Sequence, residues 1–572
     1  MASMGQGMKY VLDYETHYIP KVHDIKTMGL IPYVRHPDTG VTSYATAPQK
    51  NIDVTIPASL IIAHNATFDA LIHAQAGFPP PLQWACTASM SRLLQAVDPT
   101  YCPPGHSLRE LSEYLGIGVK GDTELAIATG GEALRAYNQQ DADLTAQLYD
   151  TLINWLKSAL PRDRLAKELA AIHLTVTMAS EPRLLLDPEP LIEFIEAEED
   201  RRAGIEDVYR SPVKFAELLS KMGVTLPQTA KGAPSVADSV LDDVLAQHPD
   251  LEPHISQRRL VSSPGELAKA KKFLDIAVGY PDANGQRTLP VLLKYAGAHT
   301  LRWSGDGGLN VQAMTRGGPV RRALVAPPGH KIVAADLKQI EARCLLAYAG
   351  QDDMLQDMVE GRDAYRIMAG LIYSKPPDAV TPDERFIGKA TVLGCGYGMG
   401  AAGAQRQITK DPALAQKLVA AYRQRATKVV ELWRELDKVL YSSIGGPMFV
   451  KVPFSDRHMI WRDIRCTEDE YTGYKQYTYV ADDGVTKGIY GGKVTENIIQ
   501  ASARDLLLDA VLLITNELDI VPSALVHDEI VYVIEDDYVD AIMDSVMNDP
   551  ALKPQPWMAW EVKSGESYWE CK

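Results

Sequence analysis

Two short apolar runs, far apart in the chain, each break at acidic residues, and that pairing restricts the possible folds more than any other feature. Residues 331–343 read KIVAADLKQIEAR and residues 523–533 read SALVHDEIVYV. Their apolar, β-favouring residues suit buried strands, whereas Asp336 in the first and Asp528 with Glu529 in the second interrupt them where charge must be solvated or metal-bound. Two divalent cations roughly 3.5 to 4 Å apart can clamp the attacking and leaving oxygens of an in-line displacement, and Mg²⁺ takes few carboxylates plus substrate phosphates. One carboxylate from each run would supply that geometry. Taken singly, each run reads equally well as a strand end carrying an ordinary solvated acid.

Between them, Arg385, Lys389, Leu393 and Tyr397 in RFIGKATVLGCGYGMG are spaced four apart. That spacing advances about 40° per step on an α-helix and makes one slowly drifting stripe. Two cations followed by an aromatic ring suit a polyanion bearing a flat ring, which describes a nucleoside triphosphate. Glycines 394, 396, 398 and 400 are expected to end the helix or admit another backbone. A solvated amphipathic helix with a glycine-rich end is the plainer alternative.

In this order the three segments resemble motifs A, B and C of the family A DNA polymerases, the bacterial polymerase I type. DLKQIEAR matches the Asp-led motif, RxxxKxxxLGxxYG the fingers helix, and HDE at 527–529 the third motif. Thr300, Arg302, Ser304, Asn310 and Gln312 resemble the family's primer-template stretch. Gln500 and Asp505 resemble its template-side helix, and the closing VKSGESYW its last palm segment. The resemblance implies a multidomain α/β and α+β chain whose right-hand polymerase has its thumb and adjoining palm segments in 158–319, palm in 320–355, fingers in 356–440 and palm again in 441–572.

Residue by residue, the resemblance makes Asp336 and Asp528 ligands of two Mg²⁺ ions, with Mn²⁺ as an alternative, and sets Glu529 beside them. It gives Arg385 and Lys389 the triphosphate, Lys389 also protonating the leaving pyrophosphate, and Tyr397 a place near the base pair being formed. Glu341 resembles the side chain that excludes a 2′-hydroxyl, with Gln339 also in the nucleotide site. Arg302, Asn310, Gln312, Arg343, Gln500 and His527 are implied to contact primer-template DNA. Departures stand out as well. Leu393 replaces a frequent Phe or Tyr and can neither stack nor donate a hydrogen bond. Leu337 and Lys338 stand for Tyr and Ser, Leu301 replaces a common Gly, Tyr365 lies near a usual triphosphate-binding His, and Asn497 is one residue out of register. Such departures suit a divergent, phage-like branch.

The first part of the chain has a second acidic pattern. KYVLDYET places Asp13 and Glu15 on one face of a strand. LIIAHNATFDALIH reads as a buried strand entering a helix on which Asn65 and Asp69 share a face. LRAYNQQDADLTAQLY puts Tyr137 and Asp141 one helical turn apart. Together these resemble the DEDD 3′-5′ exonucleases of the Tyr-containing subtype, an RNase H-like domain over 1–157. The resemblance implies that Asp13, Glu15, Asp69 and Asp141 bind two metal ions, that Tyr137 orients the attacking water, and that a single-stranded DNA 3′ end is the substrate, as in proofreading.

The chain has 572 residues, 46% apolar and 23% charged, a soluble multidomain composition, and a net charge of −16. That charge argues against a broadly basic surface, so any nucleic-acid affinity must come from local basic clefts. Six cysteines without CxxC or metal-site spacing suggest reduced thiols in a cytoplasm, the host's if the chain is phage-encoded. No apolar run suits a membrane span and no secretion signal is seen. Residues 1–7 are set aside from the fold, and no 5′ nuclease domain is expected ahead of the first strand. Helical patterns around 190–209 and 252–278 resemble a thumb's paired helices, and 463–492 reads as a β-rich palm insertion. The leading expectation is a monomeric, template-directed DNA polymerase using dNTPs, with proofreading and with replisome proteins as further partners. Two alternatives remain, a single-subunit RNA polymerase-like enzyme and a catalytically silent DNA-binding replisome scaffold. Some relatives of this layout serve genomes containing 2-aminoadenine, though no residue here reads the purine 2-position.

Overall fold

The computed structural model of the chain describes residues 8–16, 41–47, 52–54, 56–129, 131–229, 232–262, 265–277, 287–468 and 475–571. Residues 1–7 lie outside this set.

The N-terminal domain is built on a sheet of β1 (Lys9–Thr16), β2 (Val41–Ala47), β3 (Leu60–Ala63) and β4 (Trp84–Cys86) in the order β2-β1-β3-β4. β3 runs parallel to both β1 and β4, and β2 is antiparallel to β1. Both faces of β1 are buried. Tyr10, Leu12 and Tyr14 join the main core, while Val11 meets Ala45, Ile62, Ala85 and Ala142. Helices α1 (Ala66–Gln75), α2 (Thr87–Val97) and α3 (Gly131–Ala159) cover the sheet, as parallel strands require. The expected helix across Asn65 begins one residue later, with Asn65 as a left-handed N-cap at φ 59°.

Helix α4 (Arg162–Ser180) leads into the remaining chain. The paired-helix expectation for 190–209 and 252–278 is only partly met. A helix runs over Glu189–Arg202 and stops at Gly204, whose φ of 77° is left-handed. Beyond it, Tyr209, Phe215, Leu219, Leu241, Val244 and Ile255 close a small core of their own, so the intervening stretch carries a module of short helices.

Short strands β5 (Leu293–Lys294) and β6 (Ser304–Gly305) pair across the loop that carries Arg302. The central sheet is antiparallel, ordered β12-β13-β7-β14, with β7 (His330–Leu337), β12 (Ala524–Val526), β13 (Glu529–Glu535) and β14 (Trp560–Gly565). A helical region inserted after β7 contains α5 (Ile340–Ala349), α6 (Ala364–Tyr373) and α7 (Pro382–Cys395). The stretch expected to be β-rich lies within a meander of β8 (Met448–Lys451), β9 (His458–Glu468), β10 (Lys475–Val480) and β11 (Thr486–Ile489). Arg462 of β9 grips the N-terminal domain: it pairs with Asp482 at 2.6 Å and donates to the carbonyls of Gln95 and Asp98 at the end of α2.

A buried charge cluster ties the pieces together. Glu168 of α4 pairs with Arg164 and Arg504, and Asp505 accepts from Arg164, Arg457 and Arg504 at 2.7–3.2 Å. Arg504 and Asp505 belong to α8 (Gly491–Leu518). Arg457 also donates to the Thr300 carbonyl at 3.1 Å, and Arg504 stacks 4.7 Å over the Trp303 ring. Burial favours neutral Asp505, but Arg457, Arg164 and Arg504 outweigh it and hold the carboxyl below its usual pKa. Among the described residues no helix is long and apolar enough to cross a membrane, and all six cysteines are free.

Candidate active sites

Strand register builds the first site. Val526 pairs with Glu529, leaving His527 and Asp528 as a two-residue hairpin turn, and His527 takes the left-handed φ of 59° such turns demand. Next door, the Leu337 amide donates to the Asp528 carbonyl at 3.1 Å, and Asp336 lies opposite Glu529 in the ladder. The two sequence-predicted metal ligands thus arrive at neighbouring strand ends, both half-buried. Burial raises the Asp528 pKa, with the nearby Glu341 adding to it against Arg302 and His527. A buried carboxylate beside further acids is a donor set that a cation would neutralise. Among the described residues no three such donors converge, so a cation here would complete its shell with substrate phosphate and water.

Glu529 is placed differently from its neighbour. It is 2% exposed and accepts a hydrogen bond from the Tyr568 hydroxyl, whose ring carries Arg321 4.4 Å above it. This contact ties the segment after the last strand to the residue beside the turn. Arg343, expected to contact DNA, lies inside the protein. It is 5% exposed and donates to the carbonyls of Trp557 and Met358 at 2.7 and 2.8 Å, which holds the helical insert to the sheet.

Glu341 bridges two groups expected in the site: Arg302 at 2.5 Å and the Tyr397 hydroxyl at 3.0 Å. A cavity of about 210 Å³ opens beside Glu341, Leu393 and Tyr397. Helix α7 ends as the glycines suggest, with Gly396 as cap and Gly398 left-handed at φ 82°. Its stripe has a floor that the sequence marked only as a departure. The Tyr365 ring lies 5.4 Å from the Arg385 guanidinium and 6.0 Å from the Lys389 ammonium. Asp363, which caps α6, holds Arg385 Nε at 2.7 Å, and half-buried Gln339 lies beside Tyr365. Gly388 lets α7 lie directly on α6, because a Cβ there would overlap the Tyr365 carbonyl oxygen. Asn310 is exposed, with its side chain capping the Gln312 amide. Gln500 and Gln312 are half-buried, and His527 is exposed at its turn.

The second site gathers on β1, α1 and α3. Asp69 accepts from the Tyr14 amide at 3.0 Å, and Asn138 donates to the Asp13 carbonyl at 3.1 Å and to its carboxylate. Tyr137 and Asp141 are buried on one face of α3, as expected. Glu15 follows Asp13 along β1, and its side chain is outside the described ones. Lys120, Asn138 and Thr123 were not anticipated. Lys120 pairs with Asp141 and sits 5.0 Å over the Tyr137 ring, and Thr123 meets the Tyr137 hydroxyl at 2.6 Å. Burial opposes the Lys120 charge, but Asp141 and Tyr137 hold its pKa above the ordinary value. Only folding brings Lys120 to α3, so sequence spacing gave no signal. Asp141 Oδ1 is buried with no hydrogen-bond partner among the described residues, an acceptor that fits a cation.

Paired carboxylates at strand ends, with a helix bearing two cations in the same region, are an arrangement suited to phosphoryl transfer. The model for DNA polymerase family A matches residues 191–443. Residues 191–443 are thus similar to the family A DNA polymerases. DNA polymerase I of Pseudomonas aeruginosa is 27% identical over 467 residues, which is 77% of this chain and 48% of that protein. The DNA polymerase of Bacillus phage SP02 is 28% identical over 257 residues, 39% of each chain. The chain thus spans about half the length of the first of these relatives, and less of the second. The solved POL domain of Pol1 from M. smegmatis, in complex with DNA primer-template and dNTP, superposes with a TM-score of 0.71. At 15% identity the match covers 99% of this chain and 96% of that one, so the right-hand polymerase fold is shared.

Proposed function

We infer that the chain is a template-directed DNA polymerase that adds dNTPs to a primer 3′ end, with a 3′-5′ exonuclease in its N-terminal domain. The observation that carries this reading is the register that brings Asp336 and Asp528 together, with Glu341 bridging Arg302 and Tyr397 beside them. Bound divalent metal would activate the primer hydroxyl and stabilise charge on the transferred phosphoryl group. Asp336 and Asp528 would hold it. Arg385, fixed at Nε by Asp363, keeps its terminal nitrogens for triphosphate oxygens, and Lys389 lies one turn along to meet the leaving pyrophosphate. Glu341 fills the space a ribose 2′-hydroxyl would need, which favours deoxynucleotides. In the N-terminal domain Asp13, Glu15, Asp69 and Asp141 would hold the metal, and Tyr137 would orient water. Domain limits follow the same reading, with the exonuclease ending near Ala159, where α3 stops.

The test is primer extension on a recessed duplex with Mg²⁺, comparing wild type, Asp528→Ala and an Asp13→Ala, Glu15→Ala double variant. Extension should vanish only in Asp528→Ala, and degradation of a single-stranded 3′ end only in the double variant. Wild type that degrades but never extends would sink the polymerase assignment. Equal incorporation of rNTPs would favour the RNA polymerase-like alternative, and competition of dATP with 2-aminoadenine triphosphate decides base preference.

A further inference from the structure

Behind the strand that carries Asp13 and Glu15 lies a buried histidine that the chemistry above does not use. His73 sits on α1 one turn after Asp69 and is 1% exposed. Its Nδ1 meets the Tyr14 hydroxyl at 2.9 Å, and its Nε2 meets the Pro79 carbonyl at 2.9 Å. A carbonyl oxygen can only accept, so Nε2 carries a hydrogen. Burial lowers the His73 pKa against the opposing pull of the Pro79 carbonyl, which favours the neutral ring. Neutral His73 therefore presents a lone pair at Nδ1, and the Tyr14 hydroxyl donates to it. Phe78 and Trp84 pack on the ring at centroid distances of 5.3 and 5.7 Å and hold it in this orientation.

Tyr14 is the residue between two of the implied metal ligands. The pairing of β1 with β3 covers Lys9 to Val11, and beyond its end the Tyr14 amide donates to Asp69 Oδ1 at 3.0 Å instead. Helix α1 thus holds Tyr14 at both ends, backbone and hydroxyl. Successive residues of a strand face opposite sides, and Tyr14 faces the main core. Anchoring it there sets the pitch of β1 at the Asp13 and Glu15 positions on either side. The clasp therefore joins three of the four implied ligands, Asp69 through its own carboxylate and the other two through the residue between them.

We propose that His73 is a positioning residue of the N-terminal carboxylate centre, holding the Tyr14 hydroxyl so that the Asp13 and Glu15 positions of β1 stay matched to Asp69 of α1 for a divalent cation. This rests on reading the N-terminal domain as an exonuclease. If His73 only filled space, loss of the Tyr14 hydroxyl would leave metal binding unchanged, because the contacts with Phe78 and Trp84 would survive it.

The test compares full-length wild type with Tyr14→Phe, His73→Asn, His73→Leu and the Tyr14→Phe, His73→Leu double variant. Mn²⁺ binding without DNA is read by electron paramagnetic resonance, the N-terminal share being the part lost in Asp13→Ala, Glu15→Ala. Degradation of a short oligothymidylate gives kcat and KM. Tyr14→Phe should bind that Mn²⁺ about tenfold more weakly and lose about tenfold in kcat with KM unchanged, the usual cost of removing a hydrogen bond behind a metal ligand. His73→Asn, whose amide oxygen can stand where Nδ1 does, should keep most of both. His73→Leu should match Tyr14→Phe, and the double variant should be no weaker than either, since each breaks the same Tyr14–His73 bond. Wild-type Mn²⁺ affinity and kcat in Tyr14→Phe, losses that add in the double variant, or an equal loss in His73→Asn would overturn the proposal. Failure of the exonuclease reading shows separately: wild type would never shorten the strand, while the Mn²⁺ comparison would still decide what His73 does.

Discussion

Leu301 has a φ of 66° with its side chain 1% exposed, a left-handed backbone that a leucine adopts at a cost of about 1–2 kcal/mol. Arg457 on the Thr300 carbonyl and Arg504 over Trp303 hold the residues on either side, so the loop that presents Arg302 to Glu341 is set from beneath. Leu301→Gly would relieve the strain but remove a buried side chain worth about 2–3 kcal/mol. The burial term wins. We expect a net loss of about 1 kcal/mol by chemical denaturation, smaller than for a buried leucine of ordinary backbone. The sequence showed the replacement of glycine but not its cost, because backbone strain is invisible without the fold. Asp336, Asp528, Tyr137 and Asp141 were legible, since short-range patterning placed each on a strand end or helix face. Arg343 was not: whether a guanidinium meets DNA or a carbonyl depends on what packs over it, and here Trp557 and Met358 do.

Among the elements, α6 and α7 make the closest helix contact near the site. Gly388→Ala tests it with opposing terms. Alanine gains about 1 kcal/mol of helix propensity, while a methyl driven against the Tyr365 carbonyl costs about 1–3 kcal/mol. We expect a modest loss of stability and a rise in the dNTP KM of about tenfold with kcat less affected, because Arg385 and Lys389 shift relative to Tyr365; steady-state primer extension measures the split. Strand and stripe positions were readable from periods of two and nearly four. The module around Phe215 and Leu241 was not, because its helices are short and their apolar residues close a core only in three dimensions.

At the scale of the whole molecule, three arginines and two carboxylates buried between α4, β9 and α8 join segments that are distant in sequence. Asp505→Asn would leave Arg164, Arg457 and Arg504 facing Glu168 alone. The expected loss is about 3–5 kcal/mol, read by denaturant unfolding. The sign with pH follows from the lowered folded pKa values of Asp505 and Glu168. Their contribution is complete above the unfolded carboxylate range near 4 and fades as pH falls below it, so wild-type stability should decline on acidification more steeply than the variant's. The right-hand fold was legible from three motifs in order; the bracing of its parts was not, since buried ion pairs have no periodic signature. Arg462, gripping the end of α2 from the β8–β11 sheet, fixes the separation of the two carboxylate centres. In the proposed reading nothing in the protein need swing for a strand to change sites, so the pace of error correction is set by how readily the DNA end melts, and A·T-rich termini should be trimmed faster than G·C-rich ones.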